Sequence, residues 1–342
     1  MRFGMFTDFH IRPGASQSEA FSESFRQVDA AESMGVDSVW LAEHHFSPDR
    51  SVLASPLVIA SSIATRTQRL RIGLAVQVLP LASPLRIAEE ASTVDQISHG
   101  RLDFGVGRSG LTKYYQGYNV PYEESRPRFM EALDVITTAW TKSTFSYRGD
   151  YYTYTDVTLV PQSYQTPHPP VFVALASADT FPLIGKLGHP IFISSTTQIP
   201  VLKERLALYR AARISAGHHD EAQVALRIPC YVSETPAGAM EEPRLSAQYF
   251  IRYAAEQLIA SAASQEAADR FRQAAAAPFN EIANDRFLFG STEQVIEKLG
   301  MYQEELGINA VVLEMNYGGR IPYDRVVNSI RLLSEHVIPK FK

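Results

Sequence analysis

The sequence predicts an α/β protein of the (β/α)8 TIM-barrel class, with insertions after the fourth and seventh strands. Two observations carry this. Eight short apolar runs alternate with helical segments along the chain. Most of those runs are continuously apolar rather than alternating, as expected for parallel strands covered on both faces. An open doubly wound sheet fits this pattern less well. The 342 residues are within reach of one barrel with insertions, so residues 1–342 are read as a single domain.

Each element has its own local signal. Arg2–Thr7 is an apolar run that reads as a strand. Ser16–Met34 has helical spacing, with Ser16 or Ser18 as N-cap and Gly35 as the stop. Val36–Ala42 is the second strand and Pro56–Thr65 a short helix. Leu70–Leu79, rich in aliphatic and β-branched residues, is the third strand. Ser83–Ser98 follows as a helix with Pro84 at its start. Arg101–Gly107 is the fourth strand and Arg126–Thr141 a helix. Thr144–Val160, rich in Tyr and Thr with Arg-Gly-Asp at its turn, reads as an inserted hairpin. Val171–Ala176 and Ile191–Ser194 are the fifth and sixth strands, each followed by a helix, to Leu187 and over Val201–Ala216. Val224–Val232 is the seventh. Glu242–Ala277 is alanine-rich and mainly helical, the main variable segment. Thr292–Leu306, Ala310–Met315 and Tyr323–Val337 complete the pattern as helix, eighth strand and last helix.

Composition narrows the function. A net charge of −5 without a basic block argues against nucleic acid or an anionic membrane surface as partner. The single cysteine, Cys230, rules out an internal disulfide and a cysteine-rich metal site. The first residues lack the pattern of a signal peptide. No run approaches the roughly 18 uncharged apolar residues of a membrane span. A cytoplasmic protein is expected.

A barrel places its chemistry at the C-terminal ends of its strands. Asp8 and His10 follow the first strand, and Glu43-His44-His45-Phe46 follows the second. Histidine suits acid–base work near neutral pH, and a neighbouring carboxylate can fix its tautomer. Adjacent strand residues point to opposite faces, so one histidine faces the cavity and the other braces the wall. Arg108, Ser109 and Gly110 form a cationic turn after the fourth strand, and Ser177 and Thr180 open a helix after the fifth. A helix start with hydroxyls receives anions, and arginine adds a phosphate contact. Together they make a candidate phosphate clamp. Gly73 and Gly107, in barrel strands, mark either close approach of a flat ligand or tight packing. Tyr114, Tyr115, Tyr118 and Tyr122 line either a substrate entrance or a contact between subunits.

These positions fall in longer stretches of VWLAEHHF (Val39–Phe46), RIGLAVQVLPLASPLRIAEE, DQISHGRLDFGVGRSG and a closing RVVNSIRLLSEHVIPKF. In this order and over nearly the whole chain, the sequence resembles the bacterial luciferase-like flavin monooxygenases. The resemblance implies a two-component enzyme. A separate flavin reductase supplies reduced FMN (FMNH2), and dioxygen adds to it as a C4a-peroxide that oxidises a small organic substrate. It implies His44 as the catalytic acid–base, with Glu43 and His45 shaping its site. It places Leu74-Ala75 at the non-proline cis peptide that lies under the flavin ring. Gly107 lies beside the flavin, while Arg108, Ser177 and Thr180 hold the phosphate. It also implies a homodimer through the second and third helices, where Ile59, Ala60 and Ile63 serve either that contact or the core.

The departures bear on specificity. Gly107 stands where the luciferase pattern has a reactive cysteine, and Ala176 where it has a glutamate. Ile193–Thr197 (ISSTT) lacks the tryptophans of that pocket, and the lid segment, 263–285, is different and alanine-rich. Light emission and long-chain aldehydes are therefore not implied. Three alternatives remain. One is an F420-dependent hydride-transfer enzyme on the same fold, another a non-catalytic flavin-binding protein. The third is a metal-dependent hydrolase with Asp8, His10, His44 and His45 as ligands. No metal is expected, because His168 and His189 precede their strands, at the opposite end of the barrel.

Overall fold

The computed structural model describes Met1–Lys342. Eight parallel strands close into a barrel: β1 (Arg2–Thr7), β2 (Ser38–Leu41), β3 (Arg71–Leu74), β4 (Leu102–Gly107), β5 (Val171–Ala174), β6 (Ile191–Ser194), β7 (Val224–Val232) and β8 (Ala310–Glu314). Closure is made where β8 pairs with both β7 and β1, in the registers Ala225↔Ala310 and Arg2↔Ala310. The strands are buried almost throughout, which accounts for their unbroken apolar runs.

The barrel has two packed layers. Between strands and helices lies a large core that includes Val39, Leu41, Ile72, Phe104 and Val311. Inside the barrel a smaller cluster holds Phe6, Trp40, Phe172 and Phe192. Trp40 packs edge-on against Phe172, with ring centroids 5.2 Å apart, and its indole donates to Ser38 Oγ at 2.9 Å. So large a side chain on the axis needs small neighbours. A Cβ at Gly73 would sit 2.3 Å from the Trp40 ring, so Gly73 serves packing.

Local chemistry sets the element boundaries. Ser16 and Glu19 form a reciprocal capping box at the start of helix Gln17–Ser33, and Ser291 with Gln294 repeats it at Thr292–Leu306. The inserted hairpin, Phe145–Arg148 with Thr153–Val157, is held by Glu131, whose carboxylate accepts from the backbone N–H of Asp150, Tyr151 and Tyr152. The expected third strand, Leu70–Leu79, is broken. It ends at Leu74 and resumes at Gln77–Val78, which pairs with Val106 and Gly107. Four elements have no counterpart in the sequence reading: helix Thr112–Gly117, helix Pro236–Glu241, helix Phe279–Arg286 and strand Leu288–Gly290, which extends β7 outside the barrel. Glu242–Ala277 divides into helices Arg244–Ala260 and Gln265–Ala276.

The residues proposed for a subunit contact belong to the interior. Ala60 and Ile63 are fully buried in the core and Ile59 packs against it. No helix is long and apolar enough to cross a membrane.

Candidate active site

A cavity of about 370 Å³ opens at the C-terminal ends of the strands. This lies in the range of small-molecule sites, and mainly apolar walls with few polar groups are typical of them. Ala75, Val76 and Gly107 form one side, Val173, Leu175 and Phe192 others. The non-proline cis peptide joins Ala75 to Val76, one residue later than expected from the resemblance. Leu74 does not reach the cavity. It is still in strand register, opposite Leu41, so its side chain is committed to the core. At Gly107 a Cβ would meet Val76 Cγ2 at 2.7 Å, so glycine keeps this wall closed up and flat.

One end of the cavity is cationic and rich in hydroxyls. Arg108, Ser177 and Thr180, expected together, do meet here, and Arg126 joins them. Arg108 donates to Ser125 Oγ at 3.1 Å. Arg126 pairs with Asp179 at 2.6 Å, and this hydrogen bond holds the Asp179 carboxyl below its ordinary range. Thr180 opens the helix Thr180–Leu187, so free backbone N–H groups add to the two guanidiniums. Arg126 escaped the sequence reading because it looked like an ordinary helix start. Its signal was position: an arginine heading the helix after the Arg108 loop.

The two histidines after β2 do part company. His44 joins a network with Asp8 and Tyr114, and its side chain is 18% exposed. Its Nε2 lies 3.2 Å from Asp8 Oδ1 and its Nδ1 2.9 Å from the Tyr114 hydroxyl. One neutral tautomer satisfies both contacts: Nε2–H donates to Asp8 and Nδ1 accepts from Tyr114. Arg50 Nε, 3.3 Å from Nε2, would suit the other tautomer. Burial, and then the Arg50 charge acting against the attraction of Asp8, holds the His44 pKa below its ordinary value. Burial alone would raise the Asp8 carboxyl, but the Arg50 guanidinium, then His44 and His10, hold it well below the usual range. Burial takes His10 down to about 4. Tyr114 is pushed up to about 12 by its burial, so its hydroxyl keeps its proton.

Glu43 and His45 face the other way. His45 Nε2 meets Glu43 Oε1 at 2.8 Å, and Tyr118 Oη lies 3.2 Å from His45 Nδ1. The second Glu43 oxygen accepts from Gln77 Nε2 at 2.7 Å and from the Val78 N–H at 2.9 Å. Glu43 therefore ties down the chain just beyond the cavity wall at Val76. Two of the tyrosines are internal struts, while Tyr118 is exposed. Tyr114 and Tyr115 are buried, Tyr115 donates to the Arg108 carbonyl, and Tyr122 packs against Tyr115 at 5.0 Å.

Arg50 and Arg227 are further residues that the sequence reading passed over. Arg50 pairs with Asp8, and Arg227 with Glu314 at 2.5 Å. Arg227 was legible as the lone charge in an otherwise apolar strand. The two pairs also bear on the metal alternative. Asp8, His10 and Glu314 offer ligand atoms within 4.8 Å of one another. Both carboxylates are already engaged by arginines, and His45 points away.

Comparison with known proteins gives a consistent picture. A family model described as luciferase-like monooxygenase matches residues 1–309. The alkanal monooxygenase alpha chain of the Kryptophanaron alfredi symbiont is 31% identical over 218 residues, 64% of this chain. The match spans 61% of that relative's length, less than two thirds of it. Among solved structures, the oxygenating constituent of 3,6-diketocamphane monooxygenase from Pseudomonas putida, in complex with FMN, superposes with a TM-score of 0.83 and 20% identity, covering 100% of this chain and 99% of that one. An F420-dependent secondary alcohol dehydrogenase in complex with an F420-acetone adduct gives 0.77 and 19%, with 100% and 99% coverage. At these identities the two structures speak for the fold.

Proposed function

Because the chain belongs to the luciferase-like monooxygenase family, we propose that it is an FMNH2-dependent oxygenase component that uses dioxygen to oxidise a small organic molecule. The observation that carries this reading is one cavity with an arginine–hydroxyl end and flat, glycine-lined walls, whose wall residue Arg227 is near enough to act on His44. The residues present fit FMN. Arg108, Arg126, Ser177 and Thr180 would hold its phosphate, and Ala75, Val76 and Gly107 would lie along its ring system. Reduced FMN, when bound, supplies the electrons that activate dioxygen.

The chain's own contribution is binding, exclusion of water and control of one proton. Valine, leucine and phenylalanine side chains keep the walls dry. His44 is the acid–base: its depressed pKa leaves the imidazole neutral near pH 7, ready to take a proton. Asp8 orients that ring and stabilises its charged form, while Tyr114 holds Nδ1. Glu43 and His45 act indirectly, by fixing the Gln77–Val78 segment. A separate flavin reductase is the partner, a role consistent with the diketocamphane neighbour being an oxygenating constituent.

The test is anaerobic titration with FMNH2, oxidised FMN and F420, followed by absorbance and then by mixing with oxygenated buffer. Saturable FMNH2 binding that is weakened by Arg108→Met, with oxygen consumed upon mixing, is the expected result. Preferential F420 binding would move the chain to hydride transfer. Binding of none of the three would leave only the barrel.

A further inference from the structure

Four buried side-chain polar atoms in the chain lack a hydrogen-bond partner: Arg50 Nη1, Arg227 Nε, Glu314 Oε1 and Ser334 Oγ. The first three belong to one cluster at the centre of the barrel mouth. Each guanidinium commits one part of its fork to a carboxylate, Arg50 to Asp8 and Arg227 to Glu314. The pairs are close enough to act on each other, since Arg227 feels Asp8 and Glu314 feels Arg50. The Arg50 side chain is 6% exposed and that of Glu314 2%, while Arg227 is 26% exposed with its Nε buried. Buried donors of this kind are unfavourable unless something accepts from them.

Glu314 Oε1 has a local solution. A space of about 10 Å³ lined by Thr7, His10, Glu314 and Asn316 is at the lower limit for one water molecule. The two guanidinium donors have no acceptor within the protein. Arg227 is on the wall of the main cavity, with its guanidinium 4.0 Å over the Phe6 ring, and Arg50 lies under Phe250 at the same distance. Arg50 and Arg227 are cationic, and Asp8 and Glu314 each engage one of them. The donors left over, Arg50 Nη1 and Arg227 Nε, are what an acceptor would satisfy.

We infer that the organic substrate carries an oxyanion, a carboxylate or sulfonate, which Arg227 receives at the inner end of the cavity with Arg50 behind it. The apolar walls at Val173, Leu175 and Phe192 accept an apolar body. This rests on the FMN reading above, and it adds the substrate class. A neutral, long-chain molecule would leave both donors unsatisfied, which is the source of discrimination.

The experiment is calorimetric titration of the FMN-loaded protein with benzoate, benzenesulfonate and the neutral benzamide. Wild type is expected to bind one or both anions about tenfold or more tightly than the amide. Which of the two binds separates carboxylate from sulfonate. Arg227→Gln should abolish the preference with FMN affinity retained, and Arg227→Lys should restore part of it. If Arg227→Gln does not fold, Arg50→Lys gives the same readout and should weaken the preference. Equal or tighter binding of benzamide, no binding of either anion, or an anion preference that survives Arg227→Gln overturns the inference. Loss of FMN in Arg227→Gln also overturns it, by assigning that arginine to the cofactor. Failure of wild type to bind FMNH2 in the anaerobic titration would instead sink the function proposed above.

Discussion

At the scale of single residues, His44 owes its behaviour to two opposed fields. Burial and Arg50 push the imidazole toward neutrality, and Asp8 pulls the other way. A group balanced like this changes protonation with little rearrangement, as acid–base catalysis requires. His44→Gln keeps polar contacts but cannot carry the proton. Turnover should fall by about 10²–10⁴-fold with FMNH2 affinity within a factor of about two. Product formation and anaerobic titration measure the two separately, and undiminished turnover would remove His44 from the chemistry. The histidine itself was legible in Glu43-His44-His45, as was the separation of the two rings onto different partners. Its partners were not. Asp8 and Tyr114 lie 36 and 70 positions away in the chain, and only closure of the barrel brings them together. Arg50 is one polar residue in a loop and carries no local pattern.

At the scale of elements, the segment after β3 shows how a carboxylate can shape a site it never touches. Glu43 is the shared acceptor for Gln77, the Val78 N–H and His45. Removing it leaves three buried donors facing nothing. Glu43→Ala is therefore predicted to lower stability by about 3 kcal/mol and to weaken FMN binding, because the Ala75–Val76 wall loses its anchor. Denaturant unfolding and FMN titration would check this. A loss of stability with unaltered FMN affinity would confine Glu43 to a structural role. Sequence pattern predicted one uninterrupted strand over Leu70–Leu79, since every residue there is compatible with a buried strand except in the way Ala75 and Val76 join. Helix Thr112–Gly117 was hidden for another reason: it has no side-chain N-cap, and its tyrosines read equally well as a surface cluster. Strand Leu288–Gly290 is too short to leave a period. Long, mostly buried runs such as Val224–Val232 were found with their bounds intact.

At the scale of the whole molecule, stability depends on pH through groups sealed inside the barrel. His10 titrates at about 4 in the fold and near 6.5 when exposed. Between those values the unfolded chain holds more protons, so stability is full above about 6.5 and declines as pH falls toward 4. Asp8 acts in the same direction at lower pH, since its folded value is depressed and protonation favours unfolding. On passing from pH 7 to pH 5 the His10 contribution is on the order of 2 kcal/mol. His10→Gln should flatten this slope in urea titrations, and an unchanged slope would point to other groups. The barrel class was readable because it rests on alternation and burial, which are properties of the whole chain. The arrangement at its mouth depends on which side chains the closure apposes, and no local pattern encodes that. Closure also builds a gauge into the protein. The chain has two tryptophans, and Trp40 stands on the barrel axis against Phe172 and Phe192, the latter a wall of the cavity. Trp140 lies on the outer layer beside Phe104. Indole emission from Trp40 should be quenched by energy transfer when a flavin enters, and Trp140→Phe should leave that quenching intact. Occupancy of the site then becomes visible as light lost from the barrel's own centre, with no label and no substrate.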